Sequence, residues 1–203
     1  VVAAAQVLVY NDQARKNLQG SVVTPEVIEA TAAVDGVAEA SPLGVGTFTV
    51  TAAEETDASI FGYQLGGPGA PVGLVEGRLP ERDGEAVVSA LTDGVGGFDV
   101  GDEVVVLPGD VTLEIVGVAD DLNLSVTPTM FVSYPTWEAA RLSVNPDATA
   151  VLPSAVAVAV DDGADPAAVA ASITEEVPGT EALDRQAAAD EAPGVSSVTQ
   201  SFG

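Results

Sequence analysis

Carboxylates are the one chemically versatile group this chain holds in number, with 31 Asp and Glu against six Lys and Arg and no His or Cys. Paired carboxylates can do acid-base work only where a pocket drives their pKa values apart, and they hold a hard cation only with enough oxygens at the right spacing. Asp161-Asp162-Gly163-Ala164-Asp165 has the density of a calcium loop but lacks the EF-hand spacing and the distal bidentate Glu, so it reads as a turn ending in a helix cap. Asp120-Asp121 follows a strand and reads as a solvated turn. Either group would hold a cation weakly at most. The absence of His and Cys removes the usual serine triad, thiol catalysis, disulfides and soft-metal sites. Gly66 to Gly73 has neither a Gly-Lys-Ser/Thr ending nor Gly-x-Gly-x-x-Gly spacing, so it is a loop and not a phosphate cradle.

The other residues that invite a functional reading are aromatic. Trp137 is the single tryptophan, and with Met130-Phe131-Val132 and Tyr134 just before it, core packing at the start of a helix is the first reading. If Phe61, Tyr63, Phe131 or Trp137 were exposed, they would instead form a partner-binding patch.

The elements that must position these groups follow from periodicity and punctuation. Val7 to Tyr10 reads as a short strand. Thr24 caps a helix with Pro25 at its first position, Glu26 where the dipole favours an acid, and Val27, Ile28, Thr31 and Val34 on one face. Gly36 ends it, and Val45 to Thr51 returns as a strand. The same pattern recurs near the other end, where Ala155 to Val160 alternates and Asp165-Pro166 opens a helix with Val169, Ile173 and Val177 on one face. Pro178-Gly179 closes that helix. Between them the reading is mostly β, with strands at Ala86 to Ser89, Val104 to Leu107, Val111 to Val118 and Met130 to Tyr134, then a helix from Pro135 to Leu142. Two strand-helix units with one apolar helix face each pack most economically on a common sheet, which predicts an α+β fold.

A net charge of -25 repels phosphate and anionic headgroups, so neither nucleic acid nor a lipid surface is a partner for it. Hydrophobic content of 47% and regular valine spacing argue for a folded body with a solvated acidic surface. A salt-rich habitat or a GC-rich genome accounts for that acidity equally well. The start at Val1 and the lack of a signal peptide or an apolar run of about 18 residues predict a processed or excised piece, with the missing ends as the place for any membrane spans.

Taken in order, Gly77-Arg78-Leu79-Pro80, Glu85-Ala86-Val87-Val88, Val100-Gly101-Asp102 and Ile115-Val116-Gly117-Val118 carry a resemblance. The same sequence of a Gly-Arg-x-Pro turn, a Glu-x-Val-Val strand, a Val-Gly-Asp turn and an x-Val-Gly-Val strand is found in the extracytoplasmic domain of permeases of the MacB and FtsX family of ABC transporters. Leu8-Val9-Tyr10-Asn11-Asp12, Thr24-Pro25-Glu26 and Gly36-Val37 resemble the family's first strand, first helix and return strand, and Asp184-Arg185-Gln186-Ala187 with Ala192-Pro193-Gly194-Val195 resembles its return to the membrane. Thr92 to Phe98 departs from the pattern, with Asp93-Gly94-Val95-Gly96-Gly97 in place of an Ala-x-x-Leu-Gly helix end.

The resemblance implies a porter-like α/β-sandwich subdomain built from residues 1–53 and 154–203, with a β-rich, Sabre-like subdomain inserted at residues 54–153. Both termini would emerge together. It also implies a non-catalytic domain with no cofactor, on the extracytoplasmic face of the membrane. Such a domain would couple a cytoplasmic ATP-binding subunit, through the membrane helices of a permease dimer, to an exported substrate or an extracytoplasmic partner protein. The alternative is a secreted or cell-surface adhesion module with the same β pattern. Because the chain has no phosphate loop and no His or Cys ligand, the purified domain should show no ATP hydrolysis above background and no stoichiometric transition metal. A phosphate-release assay and elemental analysis check this.

Overall fold

The computed structural model describes residues 5–14, 21–90, 98–109, 111–119 and 128–184. The first strand, β1 (Val7–Asn11), turns Val7 and Val9 inward. Helix α1 (Pro25–Ala32) begins with Thr24 at the N-cap position and Pro25 supplying a pre-set φ at the first helical position, but the Thr24 side chain makes no capping hydrogen bond to the backbone. Gly36 then turns the chain at φ +91°, and a Cβ there would stand 2.8 Å from Cγ2 of Val169, so glycine is required both for conformation and for space.

The next strand, β2 (Val37–Thr51), is eight residues longer at its start than the expected Val45 to Thr51. Pro42 and the small residues around it disguise this first part. Pro42 lies one residue before β3 (Glu55–Tyr63) begins to pair with β2, at a place where a missing ladder donor is tolerated. The chain continues through β4 (Leu74–Gly77), β5 (Glu85–Ser89), β6 (Glu103–Val106), β7 (Val111–Ala119), β8 (Thr129–Ser133), α2 (Tyr134–Val144), β9 (Ala155–Val160), α3 (Pro166–Glu176) and β10 (Thr180–Asp184). The fold is α+β, as expected. β10 escapes sequence reading because its Thr-Glu-Ala-Leu-Asp is short and mixed, the character of an edge strand.

All ten strands among the described residues join in one mixed sheet, ordered β10-β1-β9-β2-β3-β8-β5-β7-β4, with β6 pairing both β2 and β7. That double pairing closes a ring. Going round, β2 pairs β3, β3 pairs β8, β8 pairs β5, β5 pairs β7, β7 pairs β6, and β6 returns to β2 at Val50 and Thr51. Closure removes the exposed edges that an open sheet of these strands would present.

Side chains alternate accordingly. Phe48, Val50, Ala58, Ile60, Val88, Val104, Val106, Leu113, Ile115, Met130 and Val132 fill the inside of the ring, joined by Trp137 and Ala140 of α2. Val7, Val9, Val156 and Val158 of the open part of the sheet pack instead against Val34 and against Val169, Ile173 and Val177. A third cluster lies on the outer face of the ring strands and runs from Tyr10, Ala155 and Ala157 through Leu43, Val45 and Tyr63 to Phe61, Val87, Val116 and Phe131.

The expectation of a shared end for Val1 and Gly203 concerns residues outside the described ones. Within the described residues, β1 and β10 are antiparallel neighbours with Val7 opposite Asp184, so the chain enters and leaves the sheet side by side. Asp120-Asp121 and residues 92–97 also lie outside the described residues.

Gly101 has the positive φ its Val-Gly-Asp context predicts, +98°, and no atom stands within 4 Å of where a Cβ would sit. Substitution there acts through backbone strain alone. Gly101→Val should cost about 1–2 kcal/mol and lower the melting temperature by roughly 2–8 °C in calorimetry, with Gly101→Asn costing less.

Candidate functional site

The residues that carry chemistry gather where β4 runs into the turn before β5. Gly77 (φ +70°) and Gly117 are cross-strand partners of β4 and β7. A Cβ on Gly77 would lie 2.1 Å from the Val116 carbonyl oxygen, and one on Gly117 would lie 2.4 Å from that of Arg78. Two glycines facing one another let the backbones close up, and the Arg78 amide donates to Val116 O at 2.9 Å.

This seating aims Arg78 at Glu85. Its Nη1 donates to Oε2 at 2.7 Å and its Nη2 to Oε1 at 2.5 Å, a bidentate pair. Arg82 Nε donates to Oε1 at 2.8 Å, and the Glu81 amide donates to Oε2 at 2.9 Å. The Glu85 side chain is 2% exposed, whereas Arg78 and Arg82 are 44% and 72% exposed. The arrangement is thus a buried carboxylate under two solvated cations, which gives the charge its partners without burying the guanidiniums. Glu85 is held at about 2, chiefly by the Arg78 hydrogen bonds, against the opposing effect of burial. Arg78 is pushed up for the same reason.

The same turn is fastened to α2. Ser133 Oγ donates to Asp83 Oδ1 at 2.5 Å and caps α2 by accepting from the Thr136 amide at 3.3 Å. The Gly84 amide donates to Thr136 Oγ1 at 3.0 Å, and Gly84 O accepts from the Glu114 amide at 2.8 Å. A buried Ser beside an Asp superficially suggests a nucleophile. Without a base between them the pair does only a cap's work. Sequence reading found Arg78 and Glu85 as motif members but missed Asp83, Ser133 and Thr136. Ser133 immediately before Tyr134-Pro135 was the available signal, an N-cap followed by an early helical proline.

All four aromatic candidates lie below the surface, on two opposite faces. Phe61 and Phe131 are register partners on β3 and β8, their rings stacked with centroids 5.2 Å apart. Tyr63 lies in the same outer cluster, and burial pushes its phenol up to about 12. Trp137 is inside the ring, 1% exposed, over Gly44 and Gly62, which are themselves cross-strand partners. A Cβ on either glycine would fall 2.2 or 2.3 Å from Trp137 atoms. None of the four is exposed: strand alternation turns Phe61, Tyr63 and Phe131 to a covered face, and α2 turns Trp137 into the ring.

For acid-base chemistry a carboxyl raised toward neutrality is the useful kind, and Glu85 is displaced the other way. The Asp161–Asp165 segment is the expected turn, with Gly163 at φ +82° and Asp165 Oδ1 accepting from the Ala167 amide at 3.1 Å as the cap of α3. Among the described residues no group of three or more acidic or metal-ligating side chains is placed to hold a metal ion. Among the described residues the groups of this site are engaged in organising backbone.

The pH dependence follows from the sign of the Glu85 shift. A carboxyl lowered in the folded state contributes stability that is complete above the unfolded value near 4.5 and is lost as pH falls towards 2. Glu85→Gln should therefore be less stable than wild type at pH 7 by about 2 kcal/mol, the scale of hydrogen bonds to a charged group. The gap should narrow between pH 4.5 and 2, which thermal melts across that range check.

The family model of the MacB-like periplasmic core domain matches residues 2–176. No curated protein matches the chain. Among solved structures, the periplasmic region of MacB from Actinobacillus actinomycetemcomitans superposes with a TM-score of 0.60 at 11% identity, over 96% of this chain and 90% of the other. The extracellular domain of the ABC-type transporter YknZ from Gram-positive bacteria gives a TM-score of 0.56 at 15% identity, over 88% of this chain and 99% of the other. At these identities the likeness is one of fold, and it agrees with the family match over most of the chain. The chain belongs to the family of MacB-like periplasmic core domains, the extracytoplasmic domains of ABC transporter permeases.

Proposed function

We propose that this domain couples ATP-driven motion of its parent's membrane helices to export of a substrate or to a partner protein outside the membrane. The motor is a cytoplasmic ATP-binding subunit, and the permease works as a dimer. In this reading residues 1–53 and 154–203 form the membrane-proximal base, and residues 54–153 form the distal part that meets cargo or partner.

The observation that carries the reading is the pairing of β1 with β10. The first and last described strands lie side by side, with Val7 opposite Asp184, so a change in spacing of two membrane stalks would be delivered to one edge of one sheet. The ring lies at the other end of the strand order.

The test is to slacken the coupling in the full-length parent. Flexible Gly-Ser segments of about ten residues, inserted before Gln6 and after Asp184, remove tension while leaving the folded domain alone. The expected result is loss of export with nucleotide binding and ATP hydrolysis retained. Export at the wild-type rate would overturn the reading.

A further inference from the structure

β2 is the one strand that belongs to both parts of the sheet. Its residues Val37 to Leu43 pair with β9, and Leu43 to Thr51 pair with β3 on the other edge. At 15 residues it is roughly 50 Å long. The point of exchange is Leu43, which is opposite both Ala155, the first residue of β9, and Tyr63, the last of β3. A sheet whose partners change at one residue would ordinarily be weak there, because the backbone beyond the end of β9 has lost its ladder on that edge.

Ser154 fills that gap. Its amide donates to Leu43 O at 2.9 Å. Its hydroxyl accepts from the Val45 amide at 3.0 Å and donates to Val45 O at 3.2 Å. One side chain thus supplies both bonds that the next residue of a strand would have made, and carries the ladder past the end of β9. Ser154 is 3% exposed, so water does not compete for these bonds.

The loop after β3 covers the same junction. Gly69, at φ +100°, sits so that a Cβ would be 3.3 Å from both Ala157 and Tyr63 and 3.4 Å from Leu43 Cδ1, which are one residue of the open sheet, one of the ring and one of the shared strand. Beneath it the third apolar cluster joins Tyr10, Ala155 and Ala157 to Val45, Tyr63 and Phe61 without a break. Covalent continuity, a hydroxyl bridge and a shared core all fall at one place.

From this we infer that the open sheet and the ring form a single rigid lever, with Ser154 as the positioning residue that locks the junction, so that a displacement at the base reaches the far end undiminished. This rests on the coupling role proposed above, but its rigidity can be measured on the 203-residue chain with no transporter present. Failure here would leave a domain that bends, whereas failure of the linker test would leave one that is not driven.

The experiment places spin labels at Glu175→Cys on α3 and Glu103→Cys on β6, both exposed and each unique in a chain without cysteine. Pulsed dipolar spectroscopy should give one narrow distance distribution for the otherwise wild-type chain. Ser154→Ala should broaden it, and Ser154→Thr, which keeps the hydroxyl, should restore it. A broad or two-peaked distribution without the Ser154 change, or an unchanged one in Ser154→Ala, would overturn the inference. Should Ser154→Ala fail to fold, hydrogen exchange of the wild-type chain decides. The Val45 amide should be protected as well as those of Ala157 and Ile60, and exchange more than about tenfold faster at Val45 would mark a hinge.

Discussion

The obligation to pair every buried backbone group is the constraint on which this structure turns, and β2 is where it is hardest to meet. One edge of that strand is served in succession by β9, by the Ser154 hydroxyl and by β6; β3 serves the other from Leu43 onward. The ring closes because Val50 and Thr51 still have an edge to offer when β6 arrives. A β2 that ended at Leu43 would leave the ring open and its strands exposed, and a β2 that began at Val45 would lose the ladder to β9 that ties the ring to the part of the sheet covered by α1 and α3. Both parts of the molecule are consequences of its length.

Close approach is the second requirement, and glycine meets it in pairs. Gly44 and Gly62 make a flat seat for Trp137 on the inner side of β2 and β3, and Gly77 and Gly117 let β4 lie against β7. In each pair both members must lack a Cβ, since either one alone would meet an atom nearer than van der Waals contact allows. This is the physical content of two of the motifs that carry the family resemblance. The glycine of Gly-Arg-x-Pro and the glycine of x-Val-Gly-Val are register partners, and the Arg of the first motif grips the Glu of Glu-x-Val-Val.

Local structure was legible wherever one short signal decided it. Thr24-Pro25, Asp165-Pro166 and Gly101 each announced a cap or a turn that the structure contains, and the valine alternations at Val7 and Val156 placed two core strands. What stayed hidden depends on distant partners. The ring needs Val106 opposite Val50, and the lock needs Ser154 beside Val45, contacts that no window of sequence displays. The aromatic candidates illustrate the same limit: Phe61, Tyr63, Phe131 and Trp137 were equivalent as residue types, and only strand parity assigns the first three to the outer cluster and only the packing of α2 assigns Trp137 to the interior. The first half of β2, whose start only the resemblance marks at Gly36-Val37, was hidden from periodicity by Pro42, a strand breaker except at a position such as this one.

Charge completes the argument about what kind of protein this is. The described residues include three cationic side chains, and all three are engaged in holding shape: Arg78 and Arg82 on Glu85, and Arg141 over the Trp137 ring with its guanidinium carbon 5.8 Å from the centroid. In a chain with 31 acidic groups, stationing cations over one buried carboxylate and one buried indole leaves most of the acidity to solvent and counterions, where it keeps the surface hydrated, while Asp83 and Asp165 accept structural hydrogen bonds. Among the described residues these scarce cations are spent on the turn before β5 and on one face of a buried indole, so the groups able to make charged contacts serve to hold the backbone and core of the ring in place.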